Sequence, residues 1–249
     1  MLTEERHQII LQLLQEKKAV TVVELTKVLG ISESTIRRDL HSLAQMGKLN
    51  KVHGGATAIT VERTTEDENV AERAARYADE KRKIAAYAVS LIRDEDLVYL
   101  DAGTTTGHMI PLLGDTKAAF VTNGIDHAKK LTQLGYTAYL LGGELKLSTE
   151  AMVGNVALDM VKQYNFTKCF MGANGVHEQY GFTTPDMAEA VLKKEVMSRS
   201  FMRCILVDSS KFGQISSITF GQLGQACIIT DKLENQQWKD YTVIRDVDS

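Results

Sequence analysis

Cysteine is scarce in this sequence. Cys169, Cys204 and Cys227 stand far apart, form no CxxC pair and are each embedded in apolar residues. They read as buried, reduced thiols of a cytosolic protein, not as a disulfide framework. The six histidines, His7, His41, His53, His108, His127 and His177, show no ligand spacing, so no metal site is expected. A Walker-type phosphate loop, a GxSxG elbow and a Cys/His nucleophile pair are all missing, and with them the common signatures of nucleotide hydrolysis and covalent catalysis. There is no bilayer-spanning apolar run, and the opening MLTEERHQ is too polar for a signal peptide, so the expectation is a cytoplasmic protein with no membrane partner. Internal repeats and low-complexity tracts are also lacking.

A net charge of −3 excludes a chain that is basic throughout, but the charge is unevenly spread. Residues 1–60 carry eight Lys or Arg against six Asp or Glu, and the remainder 21 against 26. A mildly basic head on an acidic body fits a localised nucleic-acid site. With 249 residues, 44% apolar and 24% charged, the chain has room for two globular domains.

The head opens with a helical period over Glu4–Glu16, where Ile10, Leu13 and Leu14 share a face that Leu2 extends. Lys17, Lys18 and Ala19 break it. Thr21 and Glu24 have capping-box spacing and start a second helix that turns Leu25, Val28 and Leu29 inward. Gly30 can end that helix in the left-handed conformation, and the Ser32 hydroxyl can cap the next. In the third helix Ile36, Leu40 and Leu43 fall at i, i+4 and i+7, which leaves Ser34, Thr35, Arg37, Arg38 and His41 outside. Arg pairs bidentately with guanine, and Ser or Thr bonds phosphates and base edges, so this face suits a DNA major groove. Alone, the same RRD run also reads as a solvated face with Arg38 and Asp39 in local ion pairs. Beyond Gly47, KLNKVHGGA reads as a short β-ribbon presenting Lys48, Lys51 and His53 around Gly54 and Gly55.

Three short helices with a glycine turn before the third make a helix-turn-helix pattern. Arg6, Ile10, Leu14, the run S-x-x-T-I-R-R-D-L from Ser32 to Leu40, and V-H-G-G-A at Val52–Ala56 together resemble the DeoR-type bacterial transcriptional regulators. The resemblance implies a winged helix-turn-helix over 1–56 that binds operator double-stranded DNA. The Ser32–Met46 helix would enter the major groove and the Lys51–Gly55 turn would form the wing. Its DNA contacts would be Ser32, Ser34, Thr35, Arg37, Arg38, His41, Lys51, His53 and Gly54.

Residues 57–79 read as a linker and the start of a connecting helix, polar to about 68 and helical from Asn69 to Ile92 with a break near Asp79. Arg73, Arg76, Lys81, Arg82 and Lys83 look like charged helix surface. In residues 80–249, apolar runs at Val98–Leu100, Ala119–Val121, Thr137–Leu141, Cys169–Met171, Cys204–Val207 and Ala226–Ile229 alternate with helical stretches. The latter lie near Thr105–Leu113, Gly124–Leu134, Asn155–Tyr164 and Met187–Ser200. This is an α/β pattern with a mostly parallel sheet, whose ligands belong at the carboxyl ends of the strands.

Those ends carry small, hydroxyl, amide and lysine residues suited to a polyol phosphate. They are Asp101, Gly103, Thr104, Thr105 and Thr106, then Thr122 and Asn123, then Gly143 and Lys146, then Asn174 and Gly175, then Thr183, Glu189 and Lys193, and finally Asp208 and Lys211. Glu189 and Lys193 also have the spacing of a surface helix pair. DAGTTT, TNG, LGG, G-x-N-G, Y-G-F-T-T-P, E-A-x-x-K and D-x-S-K-F-G resemble the DeoR-type effector domain, itself similar to the ribose-5-phosphate isomerase fold. In those enzymes the turn matching Met171–Gly175 carries carboxylates. Met171 and Asn174 stand there in this chain and neither can be a general base, so no catalytic residue is expected. Asp101, Glu189 and Asp208 are the carboxylates that an isomerase-like alternative would use, and a ligand-dependent activator is the other alternative. The runs Gln179–Glu195 and Val207–Ser216 resemble the fructose-operon repressors of Gram-positive bacteria, which implies fructose 1-phosphate as effector, with no other cofactor. One short recognition helix contacts few base pairs, so a homo-oligomer, dimer or tetramer, is expected.

Overall fold

Leucine and isoleucine spacing organises the head. In the computed structural model, which describes residues 2–58, 63–64 and 70–248, α1 (Thr3–Lys17) leads into β1 (Ala19–Thr21), α2 (Val22–Leu29) and α3 (Glu33–Gln45). β2 (Asn50–Val52) and β3 (Gly55–Thr57) follow. Ile10, Leu14, Leu25, Ile36, Leu40 and Leu43 form one buried cluster. Gly30 ends α2 at φ 68°, its N–H donating to the Thr26 carbonyl, and Ser32 Oγ accepts from the Thr35 N–H.

Four expectations for the head need correction. Val28 is 53% exposed: with Val22 buried, the stripe of α2 centres between Leu25 and Leu29, and Val28 falls off its edge. Leu2 is exposed, as the residue before α1. Only half of the α2 capping box forms, because Thr21 Oγ1 accepts from the Glu24 N–H while the Glu24 carboxylate pairs with Lys17. Finally, the break stands at Lys18, left-handed at φ 65°, but Ala19 already begins an unexpected strand. β1 pairs with β3 and β3 with β2, giving a sheet of order β1-β3-β2.

Gly55 makes that sheet possible, since a Cβ there would lie 2.2 Å from the Val20 carbonyl oxygen. Gly55→Ala should therefore cost the head about 1–3 kcal/mol. Urea unfolding of the variant would show it, and an unchanged midpoint would mean the strands part without cost.

Asp39 is buried and takes no local partner. Arg6 Nε donates to its Oδ2 at 2.8 Å and Arg6 Nη2 to its Oδ1 at 3.0 Å, so the pair ties α1 to α3. Burial pushes the Asp39 carboxyl up, but the Arg6 guanidinium outweighs it and holds the group below its ordinary value.

The second compact unit, Glu62–Ser249, begins with β4 (Arg63–Thr64), α4 (Val70–Ala75) and α5 (Ala78–Ser90). Most of the linker expected over 57–68 lies outside the described residues. The helix break expected near Asp79 falls at Arg76 and Tyr77, the latter in left-handed conformation at φ 55°. Then come β5 (Leu97–Leu100), α6 (Thr104–Gly107), β6 (Ala119–Thr122), α7 (Ile125–Gln133) and β7 (Ala138–Leu140). They are followed by β8 (Glu144–Lys146), β9 (Ala151–Val153), α8 (Asn155–Val161), β10 (Phe166–Met171), β11 (Gly175–His177) and β12 (Gly181–Thr184). The chain closes with α9 (Met187–Ser198), β13 (Ser200–Leu206), β14 (Ile215–Ser216), β15 (Ile218–Gly221), β16 (Cys227–Thr230) and β17 (Ile244–Asp246).

Seven of these strands form a parallel sheet of order β17-β16-β13-β10-β5-β6-β7. The period of two along each strand splits the core. Tyr99, Val121, Cys169 and Ile205 pack with Ala157 and Val161 of α8 and Leu192 and Val196 of α9. Val98, Leu100, Phe120 and Phe170 pack with Ile84, Ala85 and Ala88 of α5 and Leu131 of α7. The result is a sheet between two helical layers. Cys204 and Cys227 fall in register on β13 and β16 with their sulfurs 3.2 Å apart, and Cys227 is only half-buried, unlike the three separate buried thiols expected. The hairpin β8-β9, the sheet β11-β12-β15 and the edge strand β17 were not foreseen.

Candidate functional site

On the head, Ser32, Ser34, Arg37, Arg38 and His41 are exposed along α3, with Thr35 half-buried beside them. Lys51, His53 and Gly54 are exposed at the β2-β3 turn, where Gly54 takes φ 83°. Ser32 Oγ lies 2.9 Å from Ser34 Oγ and 3.0 Å from Thr35 Oγ1, so the three hydroxyls form a bonded group at the start of α3. Arg37 leans on Glu33 at 3.3 Å, a solvated i,i+4 pair, whereas Arg38 makes no ion pair with any described residue.

In the second unit the chain leaves β5 toward β6 and β7 on one side, then crosses back to build β10, β13, β16 and β17 on the other. The switch point lies between β5 and β10. In open parallel sheets, this is where a crevice forms outside the strand ends. Asp101 follows β5 and Gly172 follows β10, and the Gly172 N–H donates to Asp101 Oδ2 at 2.7 Å across the gap. The same oxygen takes the Lys193 ammonium from α9, which also donates to the Gly172 carbonyl at 3.0 Å. Oδ1 accepts from the Gly103 N–H at 2.9 Å and from Thr106 Oγ1 at 3.0 Å. Four donors thus saturate one buried carboxylate. Gly103 must be glycine because a Cβ would meet Asp101 Oδ1 at 2.7 Å, so the close approach is by the chain's own side chain.

The cleft built on this frame is lined by Asp101, Gly103, Thr104, Thr105, Asn123, Asn174, Glu189, Lys193, Asp208 and Lys211 of the expected residues. Asn123 Oδ1 accepts from the Ala102 N–H at 3.0 Å while its Nδ2 donates to the Met152 carbonyl at 3.3 Å. Glu189 and Lys193 do not pair with each other. Glu189 Oε1 accepts from Thr149 Oγ1 at 2.8 Å and Lys146 Nζ at 3.3 Å, while Lys193 goes to Asp101.

Six expected residues stand behind the cleft surface. Thr106 is buried against Asp101, and Thr122 is buried with its hydroxyl accepting from the Gly124 N–H. Gly143 sits at φ 130° against the Val153 carbonyl, and Gly175 packs against Gln214. Thr183 is buried in β12, its hydroxyl accepting from the Ser216 N–H at 2.8 Å, and Lys146 is turned to Glu189 and Asp186. Local partners take the hydroxyls of Thr106 and Thr122, and tertiary neighbours crowd or engage the other four.

Sequence reasoning missed Arg73, Arg76, Tyr77, Lys81, Thr149 and Gly172, all of which line the cleft. Lys81 is 5% exposed, far from the charged helix surface its spacing suggested. His127 was also missed: it is buried, with Nε2 3.1 Å from the Gly103 carbonyl oxygen and 3.3 Å from Thr106 Oγ1. No group of described His, Cys, Asp or Glu residues is arranged to hold a metal ion.

Burial pushes the Asp101 and Asp96 carboxyls up, but Lys193 and Lys168 respectively, with backbone N–H groups, outweigh it and hold both below their ordinary 3.8. Burial, with a small contribution from Lys130, carries His127 below its ordinary 6.5 against the pull of Asp101. All these folded values are lowered, so each contribution is complete above the unfolded value and lost as pH falls through the folded one. The thermal midpoint should therefore decline in two stages, first below 6.5 as His127 must charge, then more steeply below 3.8 as the aspartates protonate. His108 and His177 shift in the same direction as His127. His127→Gln should flatten the first stage, and an unaltered profile in that variant would count against it.

Two family models match. A DeoR-like helix-turn-helix domain covers residues 6–62 and a DeoR C-terminal sensor domain covers residues 76–232. The chain is 43% identical over 242 residues to the "Uncharacterized HTH-type transcriptional regulator FruR" of Bacillus subtilis, covering 97% of this chain and 96% of the relative. It is 34% identical over 227 residues, 89% of each chain, to the lactose phosphotransferase system repressor of Staphylococcus epidermidis. To the HTH-type transcriptional regulator IolR of Bacillus subtilis it is 33% identical, over 89% of this chain and 88% of the relative. Among solved structures, ribose 5-phosphate isomerase A from Methanocaldococcus jannaschii aligns over 55% of each chain at 20% identity with a TM-score of 0.41, too distant to bear on the site. The sensor-domain match over more than half of the chain, with these relatives along nearly its whole length, makes this protein a member of the DeoR family of helix-turn-helix transcriptional regulators.

Proposed function

We propose that this protein represses a sugar-utilisation operon and leaves its operator when a phosphorylated sugar occupies the switch-point cleft. The observation that carries the reading is the cleft itself, where hydroxyl, amide and cationic groups converge at the ends of β5, β6, β10 and β13. Its carboxylates are engaged, Asp101 by four donors, Glu189 by Lys146 and Thr149, and Asp208 by the N–H and hydroxyl of Ser210. A carboxylate held by four donors is a poor proton acceptor, and Met171 is fully buried, so the site is proposed to bind without turnover. Fructose 1-phosphate is the proposed effector, supported by the Gln179–Glu195 and Val207–Ser216 runs and by the relative named FruR. A homo-oligomer supplies the second head that specificity requires. The sugar phosphate favours the conformation with weak DNA affinity, so release equals its differential affinity for the two states.

The test is operator binding by fluorescence anisotropy at fixed salt, titrated with fructose 1-phosphate beside fructose 6-phosphate, since phosphate contacts make affinity steeply salt-dependent. Release by fructose 1-phosphate alone is the expected result. Release by another sugar phosphate would retain the mechanism and discard fructose. Steady conversion of pentose or hexose phosphates in a coupled assay would sink the non-enzymatic reading.

A further inference from the structure

The cleft's cations are concentrated where the sequence suggested only surface. Arg73 and Arg76 at the end of α4, Lys81 in α5 and Lys211 beyond β13 line it together. Lys81 is anchored there by donating to the Arg73 carbonyl. Arg73 Nε is buried with no hydrogen-bond partner among the described residues, a costly state for a guanidinium N–H. Asp208 is the anion that acts on Lys81, and its carboxylate is bonded to the Ser210 N–H and hydroxyl. The cleft's other carboxylates, Asp101 and Glu189, already hold Lys193 and Lys146. Repulsion from Lys211, Arg73 and Arg76 adds to burial in holding the Lys81 pKa below its ordinary value. Among the described residues, Arg73, Lys81 and Lys211 stand here with Asp208 as the one carboxylate acting on Lys81.

The α6 loop, where the sequence suggested a phosphate cradle, is differently placed. Its Gly103 N–H and Thr106 hydroxyl go to Asp101, and the Ala102 N–H goes to Asn123. The carboxylate of Asp101, paired with Lys193, stands at its centre and takes donors that an anion would use.

We propose that the phosphate monoester of the effector is gripped by Arg73, Lys81 and Lys211, with Arg76 beside them, and that Asp101 and the α6 loop face the uncharged polyol end. This rests on the sugar-phosphate reading above and moves the anion to the α4–α5 corner. That corner is the stretch of chain nearest in sequence to the DNA-binding head. A phosphate there ties the corner to the strand ends through charge-assisted hydrogen bonds that exist only in the liganded state, which is the differential contact a population shift needs.

The experiment uses the full chain with two probes, inorganic phosphate and fructose 1-phosphate, read by thermal shift and calorimetry. Variants Arg73→Ala, Lys81→Met and Thr104→Ala are compared, with circular dichroism and the unliganded midpoint reporting folding. Lys81→Met fills the same buried space without charge, and Arg73→Lys restores charge if Arg73→Ala folds poorly. Inorganic phosphate should stabilise the wild type, and Arg73→Ala and Lys81→Met should weaken either probe by about tenfold to a hundredfold, as for lost hydrogen bonds to a charged group. Thr104→Ala should leave inorganic phosphate binding within about twofold. Phosphate binding that survives in both cation variants overturns the proposal, and so does a wild type that inorganic phosphate leaves unstabilised. If inorganic phosphate binds in the expected pattern and no phosphorylated sugar does, the anion site stands and the sugar reading falls.

Discussion

Asp101→Ala is expected to destabilise the sensor unit by about 3–5 kcal/mol, the usual result of removing one partner from a buried ion pair. The variant leaves the Lys193 ammonium without its carboxylate and orphans the N–H groups of Gly172 and Gly103, while the Thr106 hydroxyl keeps the main-chain carbonyls of Gly103 and residue 101. Lys193 would keep its bond to the Gly172 carbonyl and its place over the Phe220 ring. The loss belongs to the network, so the double variant Asp101→Asn, Lys193→Met should recover a large part of it, an uncharged pair of similar volume being close to neutral. Calorimetric unfolding of the single and double variants would decide. A loss under about 1 kcal/mol for Asp101→Ala would mean that water replaces the carboxylate, and the crevice would then be wetter than its burial implies.

The second large effect concerns DNA. Neutralising the base-reading arginine of α3 should cost about 1–3 kcal/mol at the cognate operator and much less on random DNA. The structure favours Arg38, which makes no ion pair with a described residue, over Arg37, which leans on Glu33. Arg38→Ala and Arg37→Ala, titrated at one salt concentration against operator and scrambled duplex, would separate base reading from phosphate contact. An equal loss on both duplexes for both variants would sink base reading and leave the arginines as backbone contacts.

Much of the architecture was legible because it rests on local rules. The stripe Ile36, Leu40, Leu43, the Ser32 cap and the left-handed Gly30 need no long-range information, and all appear in the head. The six apolar runs became six of the seven strands of the main sheet, since fully buried parallel strands read as continuous apolar segments. β17 was missed because Val243, Ile244 and Val247 are interrupted by charge, and its place at the sheet edge tolerates that. The short antiparallel pieces, β1, β8-β9 and β11-β12-β15, carry too few residues for a period to show.

What the residue types and spacing determined by themselves was the class of each unit, the helix face turned outward on α3, and the strand ends as the place to look. Only the tertiary structure decided which side chains share the crevice. Arg73 and Lys81 enter it because Tyr77 takes a left-handed turn that separates α4 from α5, and Lys193 reaches Asp101 across a switch point set by strand order. Thr106, Thr183 and Gly175 leave it because a carboxylate, a neighbouring strand and a loop backbone take their space. The difference is one of range: propensity, caps and periodicity act over a few residues, whereas hydrogen-bond satisfaction in a buried site is settled among groups 71 and 92 positions apart.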